Sequence, residues 1–237
     1  MKKIITVICV LGCLLSYSQK INFNSDMQVI YSLVFKPDST QNRTTDNIVT
    51  LYLNLKDNQS IFQDDKKSKI DSVIASQKFT QLSSLPLFKT NHVIFKNLQK
   101  SKITYSEIID HINFGYDESI KDFKWKLYDG KRTILNYQCK EAKITLYGRN
   151  YNAWYTSDIP IIDGPYKFSG LPGLILEVYD DNDNFHYKAL AITKKIINVI
   201  YDTNFNTIER KKLRDSKINN IIKNSKTEIK LNPMERK

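Results

Sequence analysis

Two carboxylates, Asp163 and Glu177, flank a Gly/Pro-rich segment and are the nearest the sequence comes to a general acid/base pair. Nothing in their spacing brings them together, and a solvent-facing strand position would suit Glu177 equally well. Arg149, beside Gly148, would bind an anion or pair with an acid; a structural ion pair is the stronger expectation. His92, His111 and His186 lie far apart and show no metal-ligand spacing. Asp180-Asp181-Asn182-Asp183-Asn184 has the look of a calcium loop, but Phe185 stands where glycine is needed and Ala191 where the bidentate glutamate is needed. It reads as a hairpin turn. There is no nucleophile elbow and no phosphate-binding glycine loop. No residue is assigned a catalytic, cofactor or metal role, and the reading leans away from an enzyme.

The segment 159–173, IPIIDGPYKFSGLPG, concentrates three of the seven Gly and three of the six Pro. Proline fixes φ and glycine permits positive φ, so such density gives a long connection a defined path. Leu171-Pro172-Gly173-Leu174 suits a type II turn leading into the strand LILEVY. Ala153-Trp154-Tyr155-Thr156 ends an aromatic strand able to pack beneath the loop. Tyr137, Trp154, Tyr155, Tyr166 and Phe168 would line an apolar groove, if one exists.

These residues must be held by strands. Met27–Phe35 and Ile48–Leu55 are β-prone, and Val49, Leu51, Leu53 and Leu55 alternate onto one face. Short strands are expected over 60–63, 92–98 and 102–110, the last of which also fits a helical face. Asp64–Gln77 has a helical period with an Asp N-cap. Asp129-Gly130 predicts a hairpin turn between 123–128 and 132–139. Further hairpins are expected across 148–150 and 180–184. Strands joined by short turns imply an antiparallel sheet. The fold class is mainly β, a single curved antiparallel sheet with one or two covering helices. A strand ending at Trp, then Gly-Leu-Pro, then a strand ending in an acidic turn resembles the half-barrels of periplasmic lipoprotein carriers.

The chain has 237 residues, 41% hydrophobic and 11% aromatic, which excludes a disordered chain and suits one domain. Lys2 and Lys3, the apolar Ile4–Leu15 and the small residues Ser16 and Ser18 before Gln19 predict a secretory signal peptide over 1–18. Periplasmic or secreted location follows. Val10-Leu11-Gly12-Cys13 offers lipid anchoring at Cys13 as the alternative, although Leu14 and Leu15 keep the run apolar. Loss of Cys9 and Cys13 with the leader would leave Cys139, expected to be a buried thiol.

The net charge of +11 is concentrated late in the chain: segment 207–237 holds ten Lys/Arg against four Asp/Glu. Residues 19–206 form the β body and 207–237 a basic helical tail. Only six bases are Arg, which argues against nucleic-acid recognition. The tail would make weak contact with an anionic membrane surface at most.

Residues Gly170-Leu171-Pro172-Gly173-Leu174-Ile175 spell the motif of the GLPGLI (Porph_ging) family of Bacteroidetes, which the chain resembles. Tyr137-Gln138-Cys139-Lys140-Glu141-Ala142, Gly148-Arg149, Ala153–Thr156, Ile159-Pro160 and Gly164-Pro165-Tyr166-Lys167-Phe168 fit the same pattern. The resemblance implies an exported protein of unestablished role, with no catalytic residue to carry over. The resulting expectation is a non-catalytic periplasmic binding, carrier or envelope-interaction protein, taking an apolar ligand or an envelope protein. Its surface would use Cys139, Arg149, Trp154, Tyr155, Asp163, Pro165, Tyr166, Phe168, Gly170, Leu171, Pro172 and Gly173. The alternative is an exported enzyme with a site near 159–173.

Overall fold

A computed structural model describes residues 20–67, 69, 90–120, 123–224 and 230–236. The leader, Cys13 and most of the helix expected over 64–77 lie outside the described residues. At its start, the Lys66 N–H donates to Asp64 Oδ1 at 2.8 Å, as an N-cap requires.

Twelve strands form one curved sheet: β1 (Lys20–Phe35), β2 (Thr45–Asn54), β3 (Gln59–Asp64), β4 (His92–Asn97), β5 (Lys102–Ile109), β6 (Ile112–Ser119), β7 (Lys126–Ile134), β8 (Tyr137–Leu146), β9 (Arg149–Thr156), β10 (Leu174–Asp180), β11 (Phe185–Asp202) and β12 (Asn206–Thr207). One helix, α1 (Arg210–Asn224), follows. The strand order is β12-β6-β5-β4-β3-β2-β1-β11-β10-β9-β8-β7. Two antiparallel meanders thus flank a central spine, the long β1–β11 pair, whose register runs from Lys20↔Asp202 to Phe35↔Phe185. The expected curved, mainly antiparallel sheet is present, and β12 adds a short parallel pairing to β6.

Alternation explains which face is buried. Val29, Tyr31 and Leu33 of β1 and Val49, Leu51 and Leu53 of β2 enter the main core, as the period-2 pattern predicts. Leu55 falls outside it and is exposed. A second cluster collects Phe23, Tyr52, Ile61, Val93, Val199 and Tyr201. Tyr52 and Phe95 both pair with Ile61, so this cluster occupies the opposite face. The chain then turns so that β12 joins β6, and Phe205 lies against Gly115, where a Cβ would meet its ring at 2.6 Å. The β1–β6 wing therefore curls back toward the continuation of β11.

The turns differ from expectation. Asp129-Gly130 does not end a strand. It sits inside β7, at a register shift between Tyr128 and Lys131, because a Cβ at Gly130 would meet Glu141 Oε2 at 2.5 Å. The hairpin instead turns at Leu135-Asn136, both at positive φ, and Ile134↔Tyr137 closes it. Leu171–Leu174 is also not a type II turn: the Gly173 N–H donates to Leu171 O at 2.8 Å, closing a three-residue turn around Pro172.

Helix α1 places Arg210, Lys211 and Lys212 in its first turn, unfavourably toward the helix dipole. Tertiary contacts hold it instead. Leu213 is buried, Lys217 pairs with Glu107 of β5 at 2.7 Å, and Asn220 donates to Asp110 at 2.5 Å.

Candidate functional site: a cavity roofed by the helix and a C-terminal strap

The Gly/Pro loop 159–173 is a plug. Asp163 is completely buried and forms an enclosed ion pair with Lys96 of β4. It also accepts from Ser60 Oγ at 2.6 Å, while Lys96 Nζ donates to Gly164 O at 2.7 Å. Burial pushes the Lys96 ammonium below its ordinary pKa, and Asp163 opposes that shift. The loop is thereby fixed against the sheet, and Tyr166, Phe168 and Leu171 join the main core.

A segment farther along the chain is strapped over this plug. Residues 230–232 bond to 37–39 through Ser39 N to Lys230 O and Asn232 N to Pro37 O. Arg149 Nη1 pairs with Asp180 at 3.0 Å, and Nη2 donates to Asn232 Oδ1 at 2.5 Å and to Pro233 O at 2.7 Å. Glu235 receives Lys167 Nζ at 2.5 Å and Tyr166 Oη at 2.6 Å. Burial alone would raise the Glu235 carboxyl; Lys167, Tyr166 and Arg210 hold it below its ordinary range. Lys167 sits among the rings of Tyr105, Tyr116 and Tyr147, each 4.7–4.8 Å away, with Glu118 at 2.7 Å.

Between the sheet, α1 and this strap lies an open cavity of about 680 Å³. Its volume is that of a small-molecule site (about 300–1,000 Å³). His92, Tyr105 and Glu107 form one wall, and Phe185 and Tyr187 an apolar one. Helix α1 contributes Arg210, Leu213 and Lys217. The Glu107 carboxyl, which burial would raise, is held below its ordinary value by Lys217 first and then by His92 and Tyr105, whose Oη donates at 2.7 Å.

His92 is 8% exposed, and its Nε2 has no hydrogen-bond partner. Burial drives its pKa down to about 4, so the ring is neutral near pH 7. Leaving a buried polar atom unpaired costs about 1–3 kcal/mol, so such an atom at a cavity marks a point where a ligand atom would be welcome.

Of the twelve residues expected to form a binding surface, Tyr166 alone is in the cavity lining, which also holds His92 and His111, noted in the sequence without a role. Asp163, Pro165, Phe168 and Leu171 are buried in the plug, with Gly170, Pro172 and Gly173 in its exit turn. Arg149 clamps the strap, the structural pairing expected for it. Tyr155 is core, and Tyr137 packs partly buried at its margin. Trp154 stands with Arg132 stacked at 5.4 Å, next to Glu177 in register. Cys139 is a buried free thiol, raised to about 11 by burial. The carboxylate pair does not form: Asp163 is spent on Lys96, and Glu177 binds Arg132 at 2.6 Å and His186 at 2.8 Å. Arg149, Asp163 and Glu177 share no cleft, which removes the loop-centred enzyme site. Among the described residues no His/Cys/Asp/Glu group could hold a metal ion. His92, Glu107 and Lys217 are not recognisable as a set, because the 109 residues between Glu107 and Lys217 leave no local pattern.

Sequence comparison gives a different family from the one the Gly-Leu-Pro-Gly-Leu-Ile stretch suggests. The profile of the N-glycanase peptide, N-terminal domain, matches residues 52–217. The chain belongs to this family of N-glycanase N-terminal domains. The GLPGLI assignment is therefore corrected, and the hexapeptide is read through its geometry: a Cβ at Gly173 would lie 2.0 Å from Thr156 O, so the stretch answers a local packing demand. Solved structures of PNGF-II in the C2 and P21 space groups share the fold, each with a TM-score of 0.54. Identities are 15% and 16%, covering 80% and 81% of this chain. The chain spans about a third of those chains, 32% and 33%. No curated protein matches it in sequence. The N-glycanase family match also overturns the expectation of a non-catalytic periplasmic binding, carrier or envelope-interaction protein.

Proposed function

We propose that this N-glycanase N-terminal domain engages N-glycosylated protein as part of enzymatic deglycosylation, acting as the domain that recognises substrate. Family membership over residues 52–217 carries the reading. The cavity supports it, because it combines aromatic rings with hydrogen-bonding charged groups, the mixture that sugars need for their C–H faces and hydroxyls. Export through the leader read at residues 1–18 belongs to the same proposal, since it would place the domain with secreted glycoproteins.

The test is biolayer interferometry of the chain on an immobilised N-glycosylated protein, with the same protein after removal of its N-glycans as the comparison. Binding at least tenfold weaker to the stripped protein is expected. Equal binding to both, or binding to neither, overturns the proposal.

A further inference from the structure

We infer that the wall formed by His92, Tyr105 and Glu107 is a binding point for a single uncharged pyranose ring, with His92 Nε2 as its hydrogen-bond partner. This rests on the glycoprotein-recognition reading and supplies its site and ligand class.

Three observations converge. The first is the buried, unpartnered Nε2 of His92, a residue of the cavity lining. The imidazole cannot swing away to satisfy it, because Phe62 and Tyr105 stack on the ring at 6.3 and 5.6 Å and Tyr166 meets it edge-on at 5.5 Å. A sugar hydroxyl both donates and accepts, so it complements either tautomer of a neutral imidazole.

The second is charge balance. The lining holds three cations, Arg210, Arg214 and Lys217, and three carboxylates, Glu107, Asp110 and Glu235. Lys217 is spent on Glu107 at 2.7 Å, Arg210 faces Glu235 at 3.6 Å, and Arg214 holds Asp215 at 3.0 Å. Asp110 accepts from Asn220, and Lys167 behind the wall is shared by Glu118 and Glu235. A carboxylated sugar would enter without a free counter-cation and lose its hydration, and an aminated one would meet only Asp110, which is exposed and already bonded to Asn220. A neutral ring has no such penalty.

The third is the apolar part of the lining. Leu33, Phe35, Phe185 and Tyr187 add apolar surface to the same lining, with Tyr187 joined to the His92 wall through Phe62 and Tyr166. A pyranose has the same mixed character, with C–H groups on one face and hydroxyls at its rim.

The experiment is imidazole NMR of the full chain labelled with ¹⁵N-histidine, titrated with methyl N-acetyl-β-glucosaminide, methyl α-mannoside, N-acetylneuraminic acid and glucosamine. Saturable movement of the His92 signals with at least one neutral glycoside, absent with the charged sugars, is expected. His186, which is not part of the cavity lining, serves as the internal control. His92→Phe, which keeps the ring packing, weakens the neutral sugar at least tenfold, and His92→Gln restores part of the loss. Unmoved His92 signals with a glycoprotein that still binds overturn this site and leave the glycoprotein reading standing. Movement of His92 with a neutral sugar, but no glycan-dependent capture of glycoprotein, supports the site and overturns the reading above it. Equal response to the charged sugars overturns the ligand class.

Discussion

The ammonium of Lys167 lies 2.5 Å from Oε1 of Glu235, joining the Gly/Pro plug to the strap across 68 residues of sequence. Both groups are buried, and the pair is ringed by tyrosines. Glu235→Ala leaves the Lys167 charge with Glu118 alone. Removing one partner of a buried pair costs about 3–5 kcal/mol. Urea unfolding should show a loss of that order, and limited proteolysis should cut near residue 230 in the variant before the wild type.

Lys96 and Asp163 give a second, separable test. Lys96→Met strands a buried carboxylate and should cost about 3–5 kcal/mol, while the double variant Lys96→Met/Asp163→Leu should recover much of it. Denaturation of the two singles and the double gives the coupling directly. Additive losses would show that the pair does not act as a unit.

Gly170 and Gly173 both have positive φ, at 91° and 146°, yet their surroundings differ. A Cβ at Gly170 has Trp125 no nearer than 3.8 Å, whereas at Gly173 it would lie 2.0 Å from Thr156 O. Gly170→Ala should therefore cost only conformational strain, about 1–3 kcal/mol. Gly173→Ala must displace β9 backbone and should cost more than Gly170→Ala. Thermal melts of the two variants check the order.

His92 couples stability to pH. Its folded pKa, lowered by burial to about 4 against the opposing pull of Glu107, lies below the ordinary 6.5. Between those values the unfolded chain binds the proton and the folded chain does not, so stability falls as pH drops from about 6.5 toward 4. The full loss is roughly 3 kcal/mol. Glu107 and Glu235, with lowered pKa values, lose their contribution only as pH falls below the ordinary carboxylate range. Urea midpoints from pH 7 to 4.5 should slope in the wild type and flatten in His92→Phe.

Much of the sheet is legible in the sequence because alternation is a local signal. Val49, Leu51 and Leu53 announce their face, and LILEVY announces β10. The turns are less legible. Asp129-Gly130 has the right residues for a hairpin, but Glu141 and Trp154 make that glycine a bulge, and Leu135-Asn136 turns without a glycine. Strand β6 gives no warning, since its turn, Asp110-His111, also adopts positive φ with ordinary residues. The loop 159–173 stands out by composition, and composition identifies a rigid path without telling a plug from a binding surface. The cavity wall is the least legible part. His92, Glu107 and Lys217 meet only because β4 and β5 pair and α1 returns across them.

The strap also governs when folding can finish. The spine pairs Lys20 with Asp202, and the plug's Lys167 meets Glu235, so the contacts that complete the core join distant parts of the chain. Such contacts slow folding, because the loops must close before the contacts form. During synthesis, the β7–β10 meander can form while Lys167 still lacks Glu235, the second of its two carboxylate partners. An emerging chain therefore carries an incompletely neutralised cation and an unroofed aromatic wall until residue 235 has left the ribosome. Docking of residues 230–236, rather than pairing of the sheet, completes the buried contacts of the domain.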